Sequence, residues 1–199
     1  FSSVMFDGSQ LPFEENIKGT QEAVKLAREV GASVEGELGA IAGAEDDLQI
    51  AQSSLTDPQQ ALEFVQKTGV DALAVAIGNR HGLYQKKPDL DLKRLQAIQQ
   101  VLDIPIVLHG GSLIPDSQVR RSIKLGVRKF NVATELKIAF TNALRQTIKE
   151  TTSFEPSKTL GPAREAVQKL AQKKMRLLGC SGQGSLWKNQ MKKKKEISR

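Results

Sequence analysis

The chain has 199 residues, 39% hydrophobic and 26% charged, with one cysteine and a net charge of +7. This length supports one domain with a real core; no run reaches the length of a membrane span, and Cys180 has no internal disulfide partner, so a reducing, cytoplasmic setting is expected. The charge is local: Lys188–Arg199 holds six basic residues against one glutamate, a net +5 that leaves +2 elsewhere, so no nucleic-acid face is expected in the fold.

In chain order, apolar strand-like runs lie at Ser2–Phe6, Ser33–Leu38, Leu73–Ile77, Ile104–His109 and Lys129–Val132. Helical patterns fall between them at Glu14–Val30, Gln59–Thr68, Leu92–Leu102 and Ser117–Leu125, and two more follow at Leu136–Glu150 and Ala163–Leu178. Gly31, Gly69 and Gly126 mark helix ends, and Asp57-Pro58 supplies a cap and a first-turn proline. Strand ends near residues 6, 37, 77, 109 and 132 recur at intervals of 31, 40, 32 and 23 residues, the length of a strand-helix unit, with no hairpin turn between them. Such units build a parallel sheet, and strands apolar throughout are buried on both faces. A (β/α)8 TIM barrel and an open doubly wound sheet both fit these lengths; the absence of a glycine-rich dinucleotide fingerprint favours the barrel.

In a barrel, chemistry collects at the carboxyl ends of the strands. Every one of the five ends carries polar groups: Asp7-Gly8-Ser9, Glu35 and Glu37, His81, His109 with Gly110-Gly111-Ser112, and Asn131-Val132-Ala133-Thr134. The two histidines are the chain's only ones, and each closes an apolar run and precedes glycine. Neutral imidazoles at the same end of neighbouring strands can share one cation, zinc first among them. The alternative is a pair of hydrogen-bonded structural histidines. Gly110 and Gly111 allow backbone N–H groups close to an anion and Ser112 adds a hydroxyl, so with the Asn131–Thr134 loop they form a candidate phosphate site. Glu45, Asp46 and Asp47 lie in a glycine-flanked segment where a mobile carboxylate could abstract a proton; a solvated acidic loop is the other reading.

These stretches also carry a resemblance. Ser-Val-Met-Phe-Asp-Gly-Ser (3–9), Pro-Phe-Glu-Glu-Asn (12–16), Val-Glu-Gly-Glu-Leu-Gly (34–39) and Ala-Ile-Gly-Asn-Arg-His-Gly-Leu-Tyr (76–84) resemble the zinc-dependent, class II ketose-bisphosphate aldolases. So do Val-Leu-His-Gly-Gly-Ser (107–112) and Asn-Val-Ala-Thr-Glu-Leu-Lys (131–137), and the likeness runs over about residues 1–182. It implies a TIM barrel in which zinc chelates the ketone and hydroxyl oxygens of dihydroxyacetone phosphate and stabilises an enediolate. It further implies His81 and His109 as two of three zinc ligands, Asp7 and Glu37 at a second metal or monovalent-cation position, and Glu45 as the proton abstractor. Gly82, Gly110, Gly111, Ser112 and Asn131–Thr134 would bind the phosphosugar, with Asn131 near the enediolate. The substrate would be fructose or tagatose 1,6-bisphosphate, with Asn131–Lys137 leaning to tagatose, and the assembly a homodimer or homotetramer.

The departures set further expectations. The family's Leu-Asp-His-Gly, which supplies the third zinc histidine and a proton-donating aspartate, is expected before Phe1. Five strands stand where a closed barrel needs eight, so the chain corresponds roughly to strands 4 to 8 and is expected to be inactive alone. Leu113 occupies a position where the family usually has glycine, and Asn79-Arg80 one where it has small residues. Residues 1–183 are expected to form the partial barrel and residues 184–199 a disordered basic tail. An accessory, non-catalytic subunit is the alternative function.

Overall fold

The five expected strands form one parallel sheet whose order follows the chain. The computed structural model describes residues 1–45, 48–50, 53–83 and 88–185, with the backbone alone for 44, 45 and 48–50. The elements are β1 (Ser3–Phe6), α1 (Phe13–Glu29), β2 (Ser33–Leu38), β3 (Gly43–Glu45), β4 (Leu48–Ile50), α2 (Pro58–Thr68), β5 (Ala72–Val75), α3 (Leu92–Val101), β6 (Ile106–Leu108), α4 (Asp116–Lys124), β7 (Val127–Phe130), α5 (Thr134–Glu150) and α6 (Pro156–Leu177).

The sheet order is β1-β2-β5-β6-β7 with every pairing parallel. The order advances in one direction and never reverses. A doubly wound sheet needs a reversal to place helices on both faces, so this is the winding of a barrel, open after five strands. Each helix neighbours the next from α1 to α4, with α1 against β2 and α4 against β7. Phe64, Leu73, Ile77, Leu95, Ile98 and Leu108 have no exposed surface and form the layer between helices and sheet. Asp57 caps α2 as expected, accepting from the N–H groups of Gln59 and Gln60 at 2.9 and 3.0 Å.

Several boundaries differ from the expected ones, two of them for a clear local reason. The last strand runs Val127–Phe130 rather than Lys129–Val132, because its ladder partners are Ile106–Leu108 and its final bond is the Asn131 N–H to Leu108 O. Residues 131–133 are thereby freed to lead into α5. Helix α6 starts at Pro156, not beside Pro162, which lies inside it; a proline in the first turn lacks only an N–H that has no intrahelical acceptor. The antiparallel hairpin of β3 and β4 was not anticipated.

The chain divides into two compact units, Phe1–Glu135 and Leu136–Arg199. The second is described as far as Ser185 and contains a cavity of about 300 Å³ lined by Phe140, Pro156, Leu160 and Arg164. The tail expected at 184–199 lies almost wholly outside the described residues. Among those described, no helix is long and apolar enough to cross a membrane.

Candidate metal centre

Glu35, Gly36 and Glu37 alternate across β2, so both carboxylates stand on one face and Gly36 turns to the other, where an added Cβ would lie 2.9 Å from the Phe64 ring. The face carrying the carboxylates receives His109 from the end of β6. His109 Nε2 is 2.8 Å from Glu35 Oε1, and its Nδ1 is 3.2 Å from Glu37 Oε2. All three residues are buried. On the far side of Glu35, Oε2 accepts from Lys129 Nζ at 2.7 Å.

His81 completes the group. Its ring centre lies 6.0 Å from that of His109, with the planes at 82°. Two imidazoles on one tetrahedral zinc, with Zn–N near 2.1 Å, have ring centres roughly 5 Å apart, so a small side-chain adjustment closes the gap. The Glu37–His109 separation of 3.2 Å matches the roughly 3.3 Å between two donors on such an ion. The His109–Glu37 pair and the neighbouring His81 ring are the groups that would hold a zinc ion. As placed, no group of three or more His, Cys, Asp or Glu among the described residues stands close enough together to hold a metal.

The charges sustain one another. Burial resists ionisation of Glu35, but the hydrogen bonds from His109 and Lys129 outweigh it and hold the carboxyl below its usual range. Burial likewise works against a charged His109, yet the bond to Glu35 and the charge of Glu37 raise its pKa.

The backbone around both histidines is braced. Asn79, 3% exposed, accepts from Ile77 N–H at 2.8 Å and donates to His109 O at 3.0 Å and Val75 O at 3.3 Å. One amide side chain therefore ties the β5 turn, two residues before His81, to the main chain of His109. Gly110 has φ +60°, and a Cβ there would fall 2.1 Å from Arg80 O; a Cβ at Gly43 would fall equally close to His81 O. The 80–81 segment is gripped between two glycines. From the helix side, Asn16 donates to Glu37 O at 2.9 Å and accepts from Thr20 Oγ1, which explains the Pro-Phe-Glu-Glu-Asn stretch as a brace for β2.

The two loops expected to bind phosphate are joined. Gly111 N–H donates to Asn131 O at 2.9 Å, Glu135 N–H to Ser112 Oγ at 3.2 Å, and Leu113 N–H to the Glu135 carboxylate. Gly111 therefore serves the contact between the loops, and its N–H already has an acceptor. Residues 131–134 lead into the amino end of α5, where helix N–H groups are otherwise without intrahelical acceptors.

Other expected site residues are less gathered. Asp7 is exposed, and its Oδ1 accepts from Ser9 N–H at 2.9 Å. Glu45 closes β3, whose first residue Gly43 bridges His81 in parallel; its side chain, with Asp46, Asp47 and Tyr84, lies outside the described residues. Gly82 follows His81 directly. Sequence reasoning gave no role to Lys129 or Asn79. A lysine in the short strand that follows the His109 strand, and an asparagine between an apolar strand and a histidine, were the available signals.

Comparison with known proteins agrees with this geometry. The family model for class-II fructose-bisphosphate aldolase matches residues 1–183. The D-tagatose-1,6-bisphosphate aldolase subunit GatY of Klebsiella oxytoca is 48% identical over 184 residues, which cover 91% of this chain and 65% of the relative. The crystal structure of the YdjI aldolase from Escherichia coli K12 superposes with a TM-score of 0.79 at 38% identity, covering 92% of this chain and 63% of that one. A Coccidioides immitis structure assigned as a fructose-1,6-bisphosphate aldolase gives 0.85 at 30% identity, covering 94% and 66%. The chain thus spans a little under two thirds of the length of each. With a singly wound parallel sheet, one histidine between two buried carboxylates, a second histidine beside it and a match over residues 1–183, this chain belongs to the class-II fructose-bisphosphate aldolase family.

Proposed function

We propose that the protein is a zinc-dependent aldolase acting reversibly on a ketose 1,6-bisphosphate to give dihydroxyacetone phosphate and glyceraldehyde 3-phosphate. The observation that carries this reading is the convergence of His81, His109 and Glu37 at one end of the sheet, beside two interlocked loops. His81 and His109 would hold the zinc, with Glu37 beside His109 as a further donor. When bound, zinc would supply a Lewis acid to polarise the substrate carbonyl.

The remaining chemistry belongs to the chain. Ser112 and the loop 131–134, at the positive end of α5, hold the phosphate of the three-carbon ketone. The resemblance assigns Asn131 to the reacting carbons. In the condensing direction Glu45 takes a proton from the carbon beside the carbonyl, and in the cleaving direction it returns that proton. Cleavage also needs a base for the hydroxyl proton of the departing aldehyde, a role the resemblance gives to the aspartate of the family's Leu-Asp-His-Gly motif. The chain holds two histidines where the resemblance implies three zinc ligands, so weak zinc binding and little turnover are expected of it when assayed by itself.

Tagatose 1,6-bisphosphate is the favoured substrate, on the 48% identity to GatY, and that relative's name as a subunit supports action within an assembly. The test fuses to the amino end a segment carrying the family's Leu-Asp-His-Gly motif, then assays both bisphosphates with zinc and after EDTA. Zinc-dependent, EDTA-reversible cleavage with preference for tagatose is expected. A folded, zinc-loaded hybrid that cleaves neither sugar would leave the accessory-subunit reading in its place.

A further inference from the structure

Lys129 and Glu35 form an ion pair that no neighbouring-strand contact requires. Their strands, β7 and β2, are separated by β5 and β6. Three strand spacings cover roughly 14 Å in a flat sheet, so two side chains meeting at 2.7 Å must lean toward each other over the face of a curled one. Glu35 has both oxygens engaged, Oε2 by Lys129 and Oε1 by His109 Nε2 at 2.8 Å. The order is therefore ammonium, carboxylate, imidazole.

We propose that Lys129 and Glu35 are positioning residues for His109: Lys129 fixes the Glu35 carboxylate, which keeps the imidazole proton on Nε2 and turns Nδ1 toward the cation site beside Glu37. A neutral imidazole has one N–H and one lone pair, and which nitrogen carries which is set by the partner of the other. Carboxylates stand at both nitrogens of His109, at 2.8 Å on Nε2 and 3.2 Å on Nδ1. The shorter contact belongs to the carboxylate that Lys129 anchors. Without Lys129, Glu35 would be a buried anion with one described partner fewer, free to rotate away from Nε2. The assignment rests on the zinc reading for its purpose; the location of the proton stands apart from it.

The chain's two histidines make the test direct. In 15N-labelled full-length chain, long-range 1H–15N spectra contain two imidazoles, and His81→Gln assigns them. With zinc bound, His109 is expected to be protonated at Nε2 and metal-shifted at Nδ1. Lys129→Met is expected to weaken zinc binding by about tenfold, in the range for groups that orient metal ligands, and to move the His109 Nε2 resonance. Lys129→Arg, which keeps the charge, should restore both to near wild type, and does so only if Lys129→Met fails through loss of the cation rather than of the fold. Metal on Nε2 with the proton on Nδ1 would overturn the proposal, as would a Lys129→Met chain with unchanged ring signals and affinity. A wild-type chain that takes up no zinc would instead defeat the functional reading; His109, examined at a pH where its ring is neutral, would still support the proposal by a proton on Nε2 or overturn it by one on Nδ1.

Discussion

Glu37 Oε2 stands 3.2 Å from His109 Nδ1, on a side chain that is 2% exposed. A carboxylate so placed either accepts the proton of an imidazolium or shares a cation with the imidazole. Removing its charge while keeping its shape separates it from the rest of the cluster. Glu37→Gln is expected to lower zinc affinity by a factor of about ten or more, measured by competition with a chromophoric chelator. Asp7→Asn, at an exposed position engaged with Ser9, should change the affinity of this chain by less than about twofold; an equal loss in both variants would place Asp7 in the site after all.

The same cluster sets the pH dependence of the metal-free chain. Glu35 has its pKa lowered on folding from an ordinary 4.5, so its contribution is complete above that value and is lost as pH falls through the folded one. His109 has its pKa raised from an ordinary 6.5, so its contribution is complete below that value and is lost as pH rises through the folded one. Both are present only between. In EDTA, the thermal midpoint should peak between pH 4.5 and 6.5 and decline on each side. Glu35→Gln should flatten both flanks, since it removes one group and the main partner of the other. A midpoint still rising above pH 7 would contradict the charge arrangement described here.

The sequence displayed the site's components more clearly than their connections. Glu-Gly-Glu in an apolar run announces two carboxylates on one strand face, because strand side chains alternate; two histidines ending successive apolar runs announce a shared locale. What links them was hidden because it depends on curvature. Lys129 reaches Glu35 across two intervening strands, and no spacing in the chain encodes that distance. The Gly110-Gly111 pair was legible as a place of close backbone approach. That the approaching groups are the Arg80 and Asn131 carbonyls could be known only once the loops were packed. Asn79 is similar: its amide is satisfied by three backbone groups, of which two are local and the third, His109 O, is thirty residues away.

Gly110 offers a sharp test of that packing. An alanine Cβ at φ +60° would sit 2.1 Å from Arg80 O, a backbone atom that no rotamer change can move. Gly31 provides the control, with φ +69° and nothing within 4 Å of the added carbon. Gly31→Ala should cost only the left-handed penalty, about 1–2 kcal/mol. Gly110→Ala should cost that and the displacement of the segment carrying His81, at least about 2 kcal/mol more, by urea unfolding. Zinc affinity should fall with Gly110→Ala and stay level with Gly31→Ala. Equal destabilisation by the two would mean that the Arg80 contact yields without resistance.

Leu113 is, among the described residues, the one non-glycine with positive φ, at +63°, and it follows Gly110-Gly111-Ser112 directly. Glycine is the residue that meets no penalty there. The leucine stays because the loop is held from both sides: its N–H donates to Glu135, and Ser112 Oγ accepts from Glu135 N–H. Its side chain is 42% exposed, so packing offsets only part of the strain. Leu113→Asn keeps the N–H and suits the left-handed region, and should stabilise the chain by about 0.5–1 kcal/mol. Leu113→Gly removes the same strain but adds unfolded-state entropy, and should lie within about 1 kcal/mol of wild type. Leu113→Pro cannot adopt this φ and lacks the donor, so it should cost about 3 kcal/mol or more. The expected order in urea midpoint is therefore Asn, Gly, Leu and, far below, Pro; a Leu chain more stable than both Asn and Gly would show that side-chain packing, not backbone strain, governs this turn.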